Sequence, residues 1–299
     1  MKFDVILTNP PFQDTTRRGK TPHKLWIDFT QAVFDRFLAD GGLLCQVSPA
    51  SFRSPNSRVL DLMKQHRTTL LRFDTEDHFP TVGSTFADYA IYKEPSDGGP
   101  TRVIAEGRET DLVLDQEVFY LPSDLSPEAL SIHRKVVFHP KDKLGVHWDY
   151  VTCHNIRRYD PEPTLSVTQT DRHVHPAFHT NGQVWWTALV QDFADKRKVM
   201  WTRSGYTKPF YDPGTMGGTD MAYYVLVGSD AEGEALTHNM NLALMRYIYK
   251  TAKWSGFGNE RVFAALPDLP RDRALTDEAL FALFDLTDEE VAHVRRSVG

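Results

Sequence analysis

Asn9-Pro10-Pro11-Phe12 is the stretch of this 299-residue chain whose residue types and spacing suit chemistry best. Two successive prolines fix φ and carry no N–H. The Asn9 side-chain amide and the Pro10 carbonyl can therefore point the same way and offer two acceptors to one point. Such a pair can take both N–H bonds of an exocyclic amino group. That biases the nitrogen toward pyramidal geometry and frees its lone pair to attack a methyl sulfonium. Phe12 adds a flat face on which an extruded base can stack. The chemistry implied is methyl transfer to an amino group. Asn-Pro and Pro-Pro also begin ordinary turns, and the tetrapeptide alone does not separate the two readings.

The elements around it favour a site. Phe3–Leu7 (FDVIL) reads as a buried strand that stops at Asn9, and parallel α/β sheets place their active sites at strand carboxyl ends. Residues 13–23 read as a loop. Apolar residues at Leu25, Trp26, Phe29, Val33, Phe34 and Phe37 predict an amphipathic helix from Lys24 to Leu38, ended by Asp40-Gly41-Gly42. Leu43–Ser48 is a second strand on a buried apolar run, with Cys45 as a packing residue. Residues 55–66 are helical, Thr69–Asp74 a third strand and Phe86–Tyr92 a fourth. This alternation is the pattern of a parallel α/β sheet.

Glu94–Arg102, rich in Pro, Gly, Ser and Asp, reads as a linker. Beyond it lie β-prone runs at Gln183–Val190 and Ala222–Val227, a helix from about Glu232 to Tyr249, and two capped helices between Thr276 and Val298. The expected organisation is residues 1–95 as a partial Rossmann-like α/β sheet, 96–125 as a connecting segment, and 126–299 as a mixed α+β domain with a helical tail.

Composition excludes several classes. Hydrophobic residues are 41% and charged residues 25%, as in an ordinary globular protein. No apolar run reaches membrane-spanning length, and the start lacks the layout of a secretory signal. With only Cys45 and Cys153, a disulfide scaffold is excluded and a reducing, cytoplasmic setting is the expectation. Net charge is −6, but residues 1–75 and 128–211 each carry +4, against −8 for 76–127 and −6 for 212–299. Arg157-Arg158 and Lys196-Arg197-Lys198 are either solvated faces or phosphate contacts. His173, His175 and His179, with Cys153 and His154, invite a metal reading. Without Cys-x-x-Cys or His-Glu-x-x-His spacing they read better as loop histidines, so no metal is expected. Gly256-Phe257-Gly258 reads as a turn. The Trp and Tyr residues from 148 to 224 read as core.

The order FDVILTNPPF, KLWIDFTQAVFDRF, ADGGLLCQVSPASF, DHFPTVGSTFADYAIYK resembles the gamma-class (Taq-type and fused restriction–modification type) DNA adenine-N6 methyltransferases. KRKVMWTR, GGTDMAYYVLV, Asn239–Tyr249 and FGNERVFAALPDLP resemble, more loosely, that family's target-recognition domain. The resemblance implies a methyltransferase α/β domain, base flipping from double-stranded DNA, and catalytic roles for Asn9, Pro10, Pro11 and Phe12. It assigns a base-stacking role to Phe79, structural roles to Gly41, Gly42 and Pro49, and DNA contacts to Arg157, Arg158, Lys196, Arg197 and Lys198. The family's glycine-containing S-adenosylmethionine loop and acidic ribose contact lie upstream of the Asn-Pro-Pro loop. The expectation is therefore that a second polypeptide or an N-terminal segment binds most of the cofactor. A permuted loop at Tyr211–Thr219 is the weaker alternative, because a β-like run follows it instead of a helix. Other functional readings are a non-catalytic DNA-binding module, cytosine-N4 methylation and protein-glutamine methylation.

Overall fold

Residues 1–13, 24–74, 85–138, 140–156, 162–203, 208–253 and 260–299 are described by a computed structural model. They fall into two units, Met1–Arg134 and Lys135–Gly299, each with its own core.

In the first unit the FDVILT run forms β1 (Phe3–Thr8), followed by α1 (Leu25–Ala32), β2 (Leu38–Pro49), α2 (Arg58–Gln65), β3 (His66–Arg72), β4 (Phe86–Pro95), β5 (Thr101–Ala105), β6 (Arg108–Leu112) and α3 (Pro127–His133). The strands make one sheet in the order β1-β2-β4-β3-β5-β6. β1 runs parallel to β2, and β4 is antiparallel to both β2 and β3. The carboxyl ends of β1, β2 and β3 thus share one rim. β3 and β5 are parallel, and β6 closes the far edge as a hairpin with β5. The unit is α/β. β1 is an exposed edge strand, not a buried one, and the sheet is mixed and not the parallel one expected, because β4 runs against its neighbours. Residues 96–112 belong to it as a turn and two further strands, so the unit boundary lies at 134/135, and 96–125 is not a free connecting segment.

The first helix is shorter than its periodicity suggests. Trp26, Thr30, Val33 and Phe34 are buried on one face. α geometry ends at Ala32, and Val33–Phe37 continue as a wider π turn before Leu38 becomes extended. Asp40-Gly41-Gly42 lies within β2 and does not stop the helix. Gly41 takes φ +76° at an irregularity in the β1–β2 register, a conformation glycine adopts without strain. One face of β2 is dry: Gln46 donates from its amide to Thr30 Oγ1 (2.6 Å) and to the Tyr89 hydroxyl (2.7 Å). The opposite face is half-exposed at Leu43, Cys45 and Val47, which corrects the expectation of a packed Cys45.

His133 of α3 is fully buried, with its Nδ1 at the Tyr120 hydroxyl. Burial pushes the His133 imidazole down to about 3, opposed by nearby Asp124, and pushes the Tyr120 phenol up. The unfolded chain, with a histidine near 6.5, holds a proton that the fold lacks between these values. Stability should therefore fall as pH drops from about 6.5 toward 3, by at most about 1.4 kcal/mol per pH unit for this one proton. The urea midpoint of His133→Gln should vary less between pH 7 and pH 4 than that of the wild type. Parallel curves would show that His133 does not carry this dependence.

The second unit holds two four-stranded sheets and a helical tail. One sheet is ordered β13-β9-β10-β8, from β13 (Gly217–Gly218), β9 (His175–Phe178), β10 (Val184–Thr187) and β8 (Leu165–Ser166). The other is ordered β12-β11-β14-β7, from β12 (Phe210–Asp212), β11 (Lys198–Thr202), β14 (Ala222–Leu226) and β7 (His147–Trp148). Trp201, Tyr223 and Phe263 are buried, with Tyr223 stacked on Phe263 at 4.9 Å. Each side chain of this size stabilises the fold by roughly 1.5–3 kcal/mol through burial. Of the Trp and Tyr residues read as core, Trp201 and Tyr223 are, but Trp148, Trp185, Trp186, Tyr211 and Tyr224 are half-buried and Tyr150 is 70% exposed.

The expected long helix is two, α4 (Asp230–Met240) and α5 (Ala243–Thr251). Asn241 breaks it, donating its amide to Pro209 O and Thr237 O, both at 2.8 Å. After the short α6 (Glu260–Phe263) come α7 (Asp277–Leu283), capped by Thr276, and α8 (Asp288–Val298), which opens on a capping box between Thr287 and Glu290.

Candidate active site

Asn9-Pro10-Pro11-Phe12 leaves the carboxyl end of β1. Pro10 is buried and anchors the turn, Asn9 is exposed and Phe12 is half-buried. The Phe12 ring rests on Phe86 at 5.0 Å, tilted by 39°. Phe86, buried at the first position of β4, pairs with Pro49 at the end of β2, and Ala50 N–H donates to Thr85 O at 2.9 Å. The loop is thereby braced against two neighbouring strand ends. No hydrogen bond ties the Asn9 side chain to another described residue.

The same rim carries groups that the sequence reading did not single out. Arg53, in the turn after β2, is buried. Its guanidinium donates to the Leu121 and Pro122 carbonyls and lies 4.8 Å over the Phe73 ring. Burial lowers its pKa to about 10, so it is charged at neutral pH. Phe52 packs edge-on against Tyr89 at 5.6 Å. A cation and a row of aromatics therefore sit at the strand ends where Asn9 emerges. The sequence signal was Ala50-Ser51-Phe52-Arg53 directly after a strand, and only the rim shared by β1, β2 and β3 gives it meaning.

Phe79, Arg157, Arg158 and Gly256-Phe257-Gly258 lie outside the described residues. Lys196, Arg197 and Lys198 are described, and they do not form one basic surface. Lys196 is exposed beside an open hollow of about 570 Å³ that also takes in Asp192 and Asp195. Arg197 is exposed but pairs with Asp230 at 2.6 Å, an acceptor it shares with the Tyr211 hydroxyl. Lys198 corrects the expectation of a phosphate contact. Its side chain and that of Asp212 are 0% and 1% exposed and pair at 2.5 Å. The Lys198 ammonium also donates to Ala194 O and Lys196 O. A buried ammonium with these partners cannot reach a phosphate without breaking the fold.

Asp212 belongs to the Tyr211–Thr219 stretch read as the weaker, permuted cofactor loop. It is engaged by Lys198 and by the Thr215 backbone and hydroxyl, and β14 follows where a helix would be needed. That loop does not fit S-adenosylmethionine. Nor do His173 and His179 converge on a metal. His173 donates to Pro163 O and accepts from Thr170, while His179 donates to His154 O and accepts from the Asn181 backbone. Cys153, His154 and Asp220 do converge.

Among the described residues no helix is long and apolar enough to cross a membrane. No protein-family model matches the chain, and no curated protein matches it. Solved structures similar to it include the Type IIL restriction-modification enzyme MmeI in complex with DNA, at 8% identity and a TM-score of 0.49 over 97% of this chain and 56% of that one. The type IIG restriction endonuclease BpuSI gives 11% identity and a TM-score of 0.34 over 98% of this chain and 49% of that one. The ATP-dependent Type ISP restriction-modification enzyme LlaBIII bound to DNA gives 8% and 0.45 over 98% of this chain and 28% of that one. The chain spans about half the length of the first two.

Proposed function

We propose that this chain is the catalytic-loop and target-recognition portion of an enzyme that methylates the N6 amino group of adenine in double-stranded DNA. The observation that carries this reading is the placement of Asn9-Pro10-Pro11-Phe12 at the carboxyl end of β1, with Asn9 exposed and Phe12 braced on Phe86. In this reading Asn9 and the Pro10 carbonyl accept the amino N–H bonds of a base held on Phe12. S-adenosylmethionine supplies the methyl group.

The Tyr211–Thr219 loop does not fit that cofactor, and we assign its binding to an additional α/β element. The state of β1 supports this assignment. β1 is the edge strand of the sheet, and Phe3, Val5 and Leu7 are 47%, 57% and 76% exposed on it. An apolar open edge is a template for another strand. In the proposed assembly a strand from a second polypeptide, or from a further segment of the same protein, adds to β1. Calorimetry with S-adenosylmethionine tests this: the chain alone should bind weakly or not at all. Micromolar affinity, about −8 kcal/mol, would overturn the assignment.

DNA binding should weaken with salt, because phosphate contacts release counterions. Lys196→Ala should lower the slope of log K against log salt by about 1 and weaken all sequences alike. Arg197→Ala should do less, since Asp230 already neutralises it. Loss confined to one preferred site in Lys196→Ala would make Lys196 a base reader and contradict its assignment to phosphate.

A further inference from the structure

We propose that Cys153, His154 and Asp220 form a binding site for Zn2+. One ligand atom from each residue lies within 4.8 Å of the other two, and all three residues are half-buried. Thiolate, imidazole and carboxylate together make a donor set suited to zinc, and three protein ligands leave the fourth position to water.

Chain separation strengthens the case. Asp220, in the turn between β13 and β14, is 66 residues from His154, yet its Oδ1 accepts from the His154 backbone (2.9 Å) and lies 2.8 Å from the His154 ring. The preceding residues are fixed independently of any ion. Asp220 N–H donates to Thr152 O at 2.8 Å. Gln191 donates to Asp149, Thr152 and the Gly218 carbonyl, and accepts from Gly218 N–H. Thr152 is fully buried at the centre of these bonds. Two strands of sequence distant in the chain are thus held with their ligand atoms facing one another, the rigid support a metal site requires.

Zinc–sulfur and zinc–nitrogen distances of about 2.3 and 2.0 Å place tetrahedral ligand atoms roughly 3.3–3.6 Å apart. Loading therefore adjusts this cluster by about 1 Å or less, with His154 Nδ1 and Asp220 Oδ1 moving apart from 2.8 Å. Loading replaces the thiol proton with a Zn–S bond and releases that proton to solvent.

The test uses the full chain, stripped of metal with a chelator, desalted and titrated with Co2+ and then Zn2+. One Co2+ per chain should bind with a thiolate-to-cobalt charge-transfer band, and Zn2+ should displace it. Cys153→Ser should abolish the band while Cys45→Ser keeps it. Asp220→Asn retains an oxygen that can hold the loop, so its melting temperature should stay near that of the wild type. Its affinity should fall at least tenfold, given that even outer-shell partners cost about 10- to 100-fold. The proposal is overturned by an absent band in the wild type, by a band that survives Cys153→Ser, or by unchanged affinity in Asp220→Asn, which would leave Asp220 a hydrogen-bonding staple only.

Discussion

Asn9→Ala should lower methyl transfer by about 100- to 1,000-fold, the cost of removing one preorganised hydrogen bond made in the transition state. DNA affinity should change little, because the amino group uses this acceptor mainly while its nitrogen becomes pyramidal. The competing role for Asn9 is a turn cap, whose loss costs about 1 kcal/mol of stability. Asn9 is exposed, and its side chain makes no hydrogen bond to another described residue, so the melting temperature should hold. Turnover and melting temperature measured on the same sample of the assembled enzyme decide the matter. A lowered melting temperature with normal turnover per folded molecule rejects the catalytic role. Phe12→Ala differs in kind: it removes a ring from Phe86 and a stacking face, worth about 1–3 kcal/mol per base, and should show as poorer extrusion of a 2-aminopurine target.

Lys198→Ala should destabilise the second unit by about 3–5 kcal/mol, because it strands the Asp212 carboxylate in the interior. Burial depresses the Lys198 pKa, and Asp212 acts in the opposite direction to keep the ammonium charged. The double substitution Lys198→Met with Asp212→Leu removes both charges and should recover most of the loss, since an apolar pair of similar volume often replaces a buried ion pair at little cost. Urea unfolding of the two variants provides the comparison. A loss below about 1 kcal/mol in Lys198→Ala would mean that the ammonium is not committed to Asp212, and would return Lys198 to the candidate DNA contacts.

Local features were legible in the sequence. The four strands around the catalytic loop announce themselves as short apolar runs, and the loop lies within four residues of a strand end. Thr276 and Thr287 cap their helices where Thr-Asp-Glu predicted. Non-local features were not. KRKVMWTR reads as a basic run, and nothing near it reveals that Lys198 turns inward to Asp212, fourteen residues on. Ser96–Gly99 has the composition of a linker and does turn, with Gly98 at φ +73°. The strands that follow are highly charged, and Arg102 and Glu109 meet as a cross-strand ion pair on β5 and β6, a pattern that hides a sheet edge. Asp40-Gly41-Gly42 carries the chemistry of a helix stop, but the β1–β2 register uses it as a strand irregularity. Cys153 and His154 gain a partner only when β13 and β14 bring Asp220 beside them.

The most direct test is to identify the atom that receives the methyl group. The protein, tagged and isolated from its own cells with whatever co-purifies, is given double-stranded DNA and S-adenosylmethionine carrying an isotopically labelled methyl. The DNA is then digested to nucleosides for mass spectrometry. The account predicts label on N6-methyladenine, lost with Asn9→Ala. Label on N4-methylcytosine would keep the loop chemistry and overturn the base assignment. DNA that binds without taking up label would contradict methyl transfer and leave a DNA-binding module.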